Sequence, residues 1–168
     1  MNEDGPGSGA GERGDATATG PATIRPVERL AAEVTAASEQ LAGIAGLPPE
    51  NVRMESTPRR GACAEGDDDS HYTMRHVWSL ADSPEADLAR AMDRLRSGLP
   101  EHGWGVVMYE RNSSPAAELE LRAERPSDGL FAYALFMDAA NEAAGHEVSK
   151  ILVTTFTGCF GLPESERR

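Results

Sequence analysis

The stretch that decides the fold is ELELRAE, residues 118–124. Apolar and charged residues alternate along it without a break. This pattern is typical of a β-strand with one dry face and one solvated face, as in an antiparallel sheet. The residues predicted to point inward are Leu119, Leu121 and Ala123, and those predicted to point outward are Glu118, Glu120, Arg122 and Glu124.

The stretch HYTMRHVWSL, residues 71–80, alternates in the same way. We expect the row that contains Trp78 to be the buried one. That row consists of Tyr72, Met74, His76, Trp78 and Leu80. Four more strands are predicted over residues 52–57, 104–111, 130–138 and 148–160. The run 130–138 is apolar on both faces, which indicates a central or interface-forming strand.

Two helices are predicted between these strands. The first begins near Pro26 and carries an apolar stripe at steps of three and four residues. The stripe consists of Val27, Leu30, Val34, Ala37, Leu41 and Ile44. The second begins at Ser83-Pro84-Glu85 and ends at Gly98. The resulting order, α-β-β-α-β-β-β-β, predicts an α+β fold. We expect an antiparallel sheet of five to six strands with both helices on one face and the other face largely exposed.

The composition divides the chain into three parts. Residues 1–23 contain no Leu, Ile, Val, Phe, Tyr or Trp, so a disordered Gly/Ala/Thr-rich tail or tether is predicted there. Residues 24–162 are long enough for a single α+β domain. Residues 163–168 are predicted to be a disordered, charged C-terminus.

The charge of the chain limits the classes of partner that it is expected to bind. A formal net charge of −12 disfavours nucleic acid and anionic membrane surfaces. No apolar run reaches the length of about 20 residues that a membrane-spanning helix needs, so no integral membrane span is predicted. Residues 1–23 also lack the basic and apolar regions of a signal peptide.

The two cysteines, Cys63 and Cys159, bear on the compartment. A structural disulfide between them would place the domain outside the cytosol, whereas free buried thiols would suit a cytosolic protein. A catalytic or metal-binding role is a third alternative. The spacing contains no CxxC motif, so a thioredoxin-like role has no support.

Catalytic, cofactor-binding and metal-binding residues are not assigned, because each candidate has a simpler explanation. An enzyme could use His76 or Cys63, and His76 would need a pocket with a carboxylate such as Glu110 in reach. A core histidine that bonds the backbone is the more common case. The acidic run Asp67–Asp69 with His71 could bind a divalent cation, but it fails the EF-hand pattern and is typical of a solvated charge run.

Short motifs between Tyr72 and Phe160 resemble a family of small, uncharacterised actinobacterial proteins, many of them predicted lipoproteins. The residues that carry the resemblance are His76-Val77-Trp78-Ser79-Leu80, Arg94-Leu95-Arg96, Leu99-Pro100, Gly103-Trp104, Asn112-Ser113-Ser114 and Gly158-Cys159-Phe160. The resemblance implies an N-terminal tether, a helix and a cysteine-containing α+β domain. In such relatives a lipobox cysteine precedes the tether, and no lipobox is found in this sequence. The resemblance implies no activity.

Two functions follow as hypotheses. The first is a non-enzymatic, extracytoplasmic domain at the cell surface that binds a small apolar ligand or a protein partner through its sheet. Exposed apolar residues on the sheet face would then mark the binding surface. The second is a cytosolic regulatory or interaction domain that has free thiols and dimerises through the strand Leu130–Met137.

Overall fold

An eight-stranded antiparallel sheet forms one layer of the computed structural model, which describes residues 23–63 and 69–167. The strands are β1 (Val52–Arg53), β2 (Arg59–Gly61), β3 (His71–Leu80), β4 (Gly105–Arg111), β5 (Leu119–Arg125), β6 (Leu130–Met137), β7 (Lys150–Thr157) and β8 (Phe160–Gly161). Six of them follow the order β1-β3-β7-β6-β5-β4, and β2 and β8 also pair with β3. The long strands β3, β6 and β7 therefore occupy the middle of the sheet.

The second layer consists of the helices α1 (Val27–Ala45) and α2 (Glu85–Gly98). Both pack on the same face of the sheet, and their buried side chains join the inward side chains of the strands in one hydrophobic core. Helix α1 ends at Gly46, whose positive φ of 74° is a conformation that suits glycine. The predicted α+β fold, with an antiparallel sheet and two helices on one face, is confirmed.

The alternation of β3 is confirmed residue by residue. The buried row is Tyr72, Met74, His76, Trp78 and Leu80. The same rule holds along β5, where Leu121 and Ala123 are buried and Arg122 is exposed. The alternation in the sequence predicts which side chains are buried because each of these strands faces the core on one side and solvent on the other.

The number and bounds of the strands differ from the prediction of five to six. The predicted strand 52–57 is paired only over 52–53. The stretch that follows it, expected to be irregular, contains β2, whose sequence Arg59-Arg60-Gly61 has no apolar residue to reveal it. The predicted strand 148–160 is interrupted at Gly158 and Cys159, so that it becomes β7 and β8.

The described ends of the domain lie beside β8. The backbone N–H of Arg25 donates to Gly161 O over 2.9 Å, and Gly161 N–H donates to Thr23 O over 2.9 Å. Beyond the predicted domain boundary at 162, Glu164–Glu166 form a 3-10 turn. The Arg167 side chain donates from Nε to Leu162 O over 3.1 Å. Over 163–167 the chain thus makes contacts with the domain beyond the predicted boundary.

Candidate functional site

The face of the sheet opposite the helices, called the open face below, is formed by the outward side chains of β3, β5, β6 and β7. The strand register places its residues in rows across the sheet. One row runs Arg75, Phe156, Phe131, Glu124, and the next runs Val77, Thr154, Tyr133, Arg122. In the first row two aromatic side chains lie between two charged ones, and in the second row Tyr133 lies between Thr154 and the charged Arg122.

The open face is concave at these two rows and holds a pocket of about 660 Å³, called the open-face pocket. Phe131 and Phe156 stack in it with their ring centroids 5.4 Å apart and their planes inclined by 20°. Both rings are only partly buried. The volume lies within the range of roughly 300–1,000 Å³ that small-molecule sites occupy. The geometry therefore suits a ligand that lays an apolar surface on the two rings.

A smaller depression of about 270 Å³, called the side pocket, continues from the open-face pocket toward β2. Arg75 lines both pockets, and Arg59 lines the side pocket. These two residues are direct partners in the β2–β3 register, so their side chains leave the same face of the sheet. Arg75 therefore lies where the two pockets meet, and Arg59 lies beside it in the sheet.

The charge of this region differs from that of the whole protein. Among the described residues, the two pockets together are lined by three arginines, Arg59, Arg75 and Arg122, and by one carboxylate, Glu124. Their formal charges sum to +2 in a chain whose net charge is −12. The two pockets together thus form a locally cationic site on an acidic molecule, and such a site attracts anions.

Tyr133 adds a polar edge to the apolar floor. Its hydroxyl donates a hydrogen bond of 2.7 Å to Glu120 Oε1, and the Arg122 guanidinium lies 5.4 Å from the centre of its ring. Burial, together with the bonded carboxylate of Glu120, raises the pKa of Tyr133 to about 12. The phenol is therefore neutral at physiological pH and holds Glu120 and Arg122 in place beside the pocket.

His76 lies on the opposite, helix-covered face and is 2% exposed. Its Nε2 is 2.8 Å from Ser56 O, which can only accept, so Nε2 carries the proton of the neutral ring and Nδ1 is an acceptor. Ser38 Oγ, 2.8 Å from Nδ1, then donates to it, and Thr155 Oγ1 lies 3.0 Å from Ser38 Oγ. Trp78 Nε1 donates to Thr155 Oγ1 over 3.1 Å. This series of hydrogen bonds gives each of these buried polar groups a partner. His76 is therefore a core histidine that bonds the backbone, as expected from the sequence.

The catalytic pairings considered from the sequence are not formed. Glu110 pairs in register with Glu120, whose row is on the open face, while His76 points into the core. The sheet therefore separates the His76 ring from the Glu110 carboxylate. Cys63 is 2.00 Å from the sulfur of Cys159, so its thiol is not available as a nucleophile.

Cys63 and Cys159 lie at disulfide distance with their Cα atoms 5.8 Å apart, as the structural interpretation of the pair requires. The bond joins the segment that follows β2 to the turn between β7 and β8. The two residues are separated by 96 positions in sequence. The link therefore closes most of the domain into one loop and holds the segment after β2 close to the turn that follows β7.

The dimer interface predicted at Leu130–Met137 cannot form by strand addition. This strand, β6, pairs with β5 along one side and with β7 along the other. Its backbone donors and acceptors are therefore used within the sheet. A partner can reach β6 only through the side chains of the open face.

The remaining candidates carry no site. Asp67 and Asp68 of the proposed cation loop lie outside the described residues. In the described ranges, no group of three His, Cys, Asp or Glu residues is placed to hold a metal ion. Within those ranges there is also no helix with the length and apolarity that crossing a membrane demands.

Comparison with known proteins places this chain in no family. No family model, curated protein or solved structure matches it. The fold and the open-face pocket define an α+β domain in which, over residues 23–63 and 69–167, helices cover one face of the antiparallel sheet and leave the other uncovered.

Proposed function

We propose that this protein is a non-enzymatic, extracytoplasmic, lipoprotein-like domain that binds a small ligand with an apolar body on the open face of its sheet. The observation that carries the proposal is the concave open-face pocket with the stacked, partly exposed rings of Phe131 and Phe156. Exposed contiguous apolar patches on monomeric domains mark binding surfaces. The helices leave this patch uncovered, so it is accessible to a ligand.

The disulfide supports an extracytoplasmic address. Bonds of this kind persist in oxidising compartments and are rare in the cytosol. The test uses protein isolated from its native host, alkylated before and after reduction and then weighed intact. We expect no label before reduction and two labels after it. Two labels without reduction would remove the support for an extracytoplasmic domain.

The binding proposal is tested with N-phenyl-1-naphthylamine, a neutral apolar probe whose emission rises when it leaves water. We expect saturable binding to the native protein. The variant Phe131→Ala removes half of the stacked floor and should weaken binding by about tenfold to a hundredfold, because burial of such a side chain contributes about 1.5–3 kcal/mol.

The matched control is Val148→Ser. Val148 is 64% exposed and lies outside both pockets, so its loss removes exposed apolar surface elsewhere. Binding by this variant should equal that of the native protein, and circular dichroism should show both variants folded. If the native protein and Phe131→Ala bound the probe equally, the open face would not be the binding surface.

A further inference from the structure

We infer that the ligand of the open-face pocket is an amphipathic oxyanion, an acyl or aromatic body with a carboxylate, sulfate, sulfonate or phosphate head. The body lies on Phe131 and Phe156, and the head lies between Arg59 and Arg75. This inference rests on the proposed function and adds to it the chemical class of the ligand.

The first observation is that, within the described residues, Arg59 and Arg75 have no hydrogen bond, ion pair or ring contact. Every other arginine of the described ranges has a hydrogen bond, an ion pair or a ring contact. Those arginines are Arg25, Arg29, Arg53, Arg60, Arg90, Arg94, Arg96, Arg111, Arg122, Arg125 and Arg167. Arg59 and Arg75 are exposed, and the described residues provide neither with such a partner.

The second observation is that the two side chains are placed against each other. Arg59 lies directly opposite Arg75 across β2 and β3, and like charges in that position destabilise a sheet. Within the described part of the chain, no carboxylate lines the side pocket that they share. An oxyanion between the two guanidinium groups would replace this repulsion by two charge-assisted hydrogen bonds.

The third observation is that the cationic pair adjoins the apolar floor. Arg75 is the register partner of Phe156, and Phe156 is the register partner of Phe131. Neighbouring strands are about 4.8 Å apart, so one strand spacing separates the backbone positions of Arg75 and Phe156. This short distance fits a molecule whose charged head and apolar body are directly joined.

The other end of the row fixes the orientation of the ligand. Glu124, at the β5 end, lines the open-face pocket and repels an anionic head there. Arg122, next to it on the open face, lies over the Tyr133 ring and is flanked along its strand by Glu120 and Glu124. The head therefore belongs at the β3 end, and the body extends toward β5.

The test compares two probes with the same anilinonaphthalene body. 8-Anilino-1-naphthalenesulfonate has a sulfonate, and N-phenyl-1-naphthylamine does not. We expect the native protein to bind the sulfonate probe more tightly than the neutral probe. Sodium chloride should weaken binding of the sulfonate probe and leave binding of the neutral probe unchanged. The double variant Arg59→Gln/Arg75→Gln should lose about tenfold in affinity for the sulfonate and none for the neutral probe.

The control is Arg29→Gln/Arg90→Gln, which changes the net charge equally on exposed helix positions. It should bind both probes as the native protein does.

Competition by ligands below their critical micelle concentration then defines the head group. Dodecanoate and dodecyl phosphate should displace the sulfonate probe, whereas dodecanol and inorganic phosphate at equal concentrations should not. Displacement by inorganic phosphate alone would mean a simple anion site and would overturn the inference.

The outcomes separate this inference from the proposed function. If both probes bound equally and Arg59→Gln/Arg75→Gln changed neither, the amphipathic anion would be excluded while a neutral ligand remained. If neither probe bound, both ideas would fail for small ligands.

A second copy of the chain could cover the open face instead, because a two-fold axis along the strands would bring Arg75 of each copy onto Glu124 of the other. A concentration-dependent dimer that excludes the sulfonate probe would establish that occupant and overturn the inference.

Discussion

At the scale of single residues, the hydrogen-bond chain through His76 shows how a polar group is accommodated in this core. His76, Ser38 and Thr155 are each 2% exposed or less. Unpaired, such groups would each cost about 1–3 kcal/mol. The chain starts at the indole of Trp78 and ends at a backbone carbonyl, so every proton in it has an acceptor.

Replacing Ser38 by alanine should break this chain in the middle. The variant leaves the His76 Nδ1 and the Thr155 hydroxyl without their shared partner, so we expect the free energy of unfolding to fall by about 1–3 kcal/mol. Urea titration followed by circular dichroism measures the change. Ser97→Ala is the control, because Ser97 is exposed on α2 and bonds only backbone carbonyls of its own helix. Equal stability of the two variants would show that the hydrogen bonds through Ser38 do not stabilise the core.

The sequence predicted part of this arrangement. The alternation of β3 placed His76 in the buried row, and a buried histidine was expected to bond a backbone group, which Ser56 O provides. Ser38 could not be foreseen as its partner. It is 38 positions away and lies between the apolar stripe positions Ala37 and Leu41, so only the packing of α1 on β3 brings the two together.

Tyr72 gives the protein a pH-dependent stability in alkali. Its side chain is fully buried and its hydroxyl donates to Arg25 O over 2.5 Å. Burial, with the charge of Glu166 as a second cause, raises the pKa of Tyr72 to about 12. In the unfolded chain the pKa is about 10, so between pH 10 and 12 the unfolded state binds fewer protons and stability falls as pH rises.

The variant Tyr72→Phe isolates this effect. Below pH 10 the difference in unfolding free energy between native protein and variant should be constant. Between about pH 10 and 12 the native protein should lose stability faster, by up to about 1.4 kcal/mol for each pH unit. Urea titrations at a series of pH values measure the two slopes. Parallel slopes throughout would show that Tyr72 ionises equally in both states.

At the scale of elements, the sequence predicted strands by their side-chain pattern and missed those that lack one. β3 and β5 each have one face in the core, so their period of two is visible in the sequence. β2 is exposed at all three positions and forms only because its backbone pairs with β3. The site depends on this missed strand, since β2 carries Arg59 opposite Arg75.

Reversing one charge on β2 should therefore stabilise the sheet and impair the site. In Arg59→Glu, a carboxylate faces Arg75, and an opposite-charge pair replaces a like-charge pair across the strands. We expect the free energy of unfolding to rise by about 0.2–1 kcal/mol and binding of the sulfonate probe to fall. In an Arg75→Gln background the stabilisation should vanish. A decrease in stability for Arg59→Glu alone would mean that the two side chains do not interact.

At the scale of the whole molecule, the sequence predicted an acidic α+β domain with one uncovered sheet face. It did not predict the cationic pocket on that face. The arginines at 59, 75 and 122 and the phenylalanines at 131 and 156 come from five strands, and only the strand order brings them together. The net charge of −12 does not reveal such a site. Salt screens the interaction between exposed charges beyond a Debye length of about 8–10 Å, so a ligand responds mainly to the charges close to it.

The disulfide should couple the stability of the whole domain to the ligand site. It spans 96 positions, and a cross-link that closes a loop of this length restricts the unfolded chain by about 4–5 kcal/mol in the chain-entropy model. It also fixes the segment after β2, a strand held by only three register pairs with β3. Without the bond, β2 and Arg59 should separate from β3 more readily than the rest of the sheet.

We therefore expect Cys63→Ser/Cys159→Ser to lower the free energy of unfolding by about 2–5 kcal/mol, measured by urea titration. Below its unfolding transition, the same variant should bind the sulfonate probe more weakly and bind N-phenyl-1-naphthylamine with little change, because the apolar floor on β6 and β7 does not depend on β2. Native protein treated with reductant should match the variant, and reductant should have no effect on the variant itself. Equal loss of both probes would mean that the bond supports the whole sheet rather than the β2 edge, and unchanged stability would contradict the loop-closure argument.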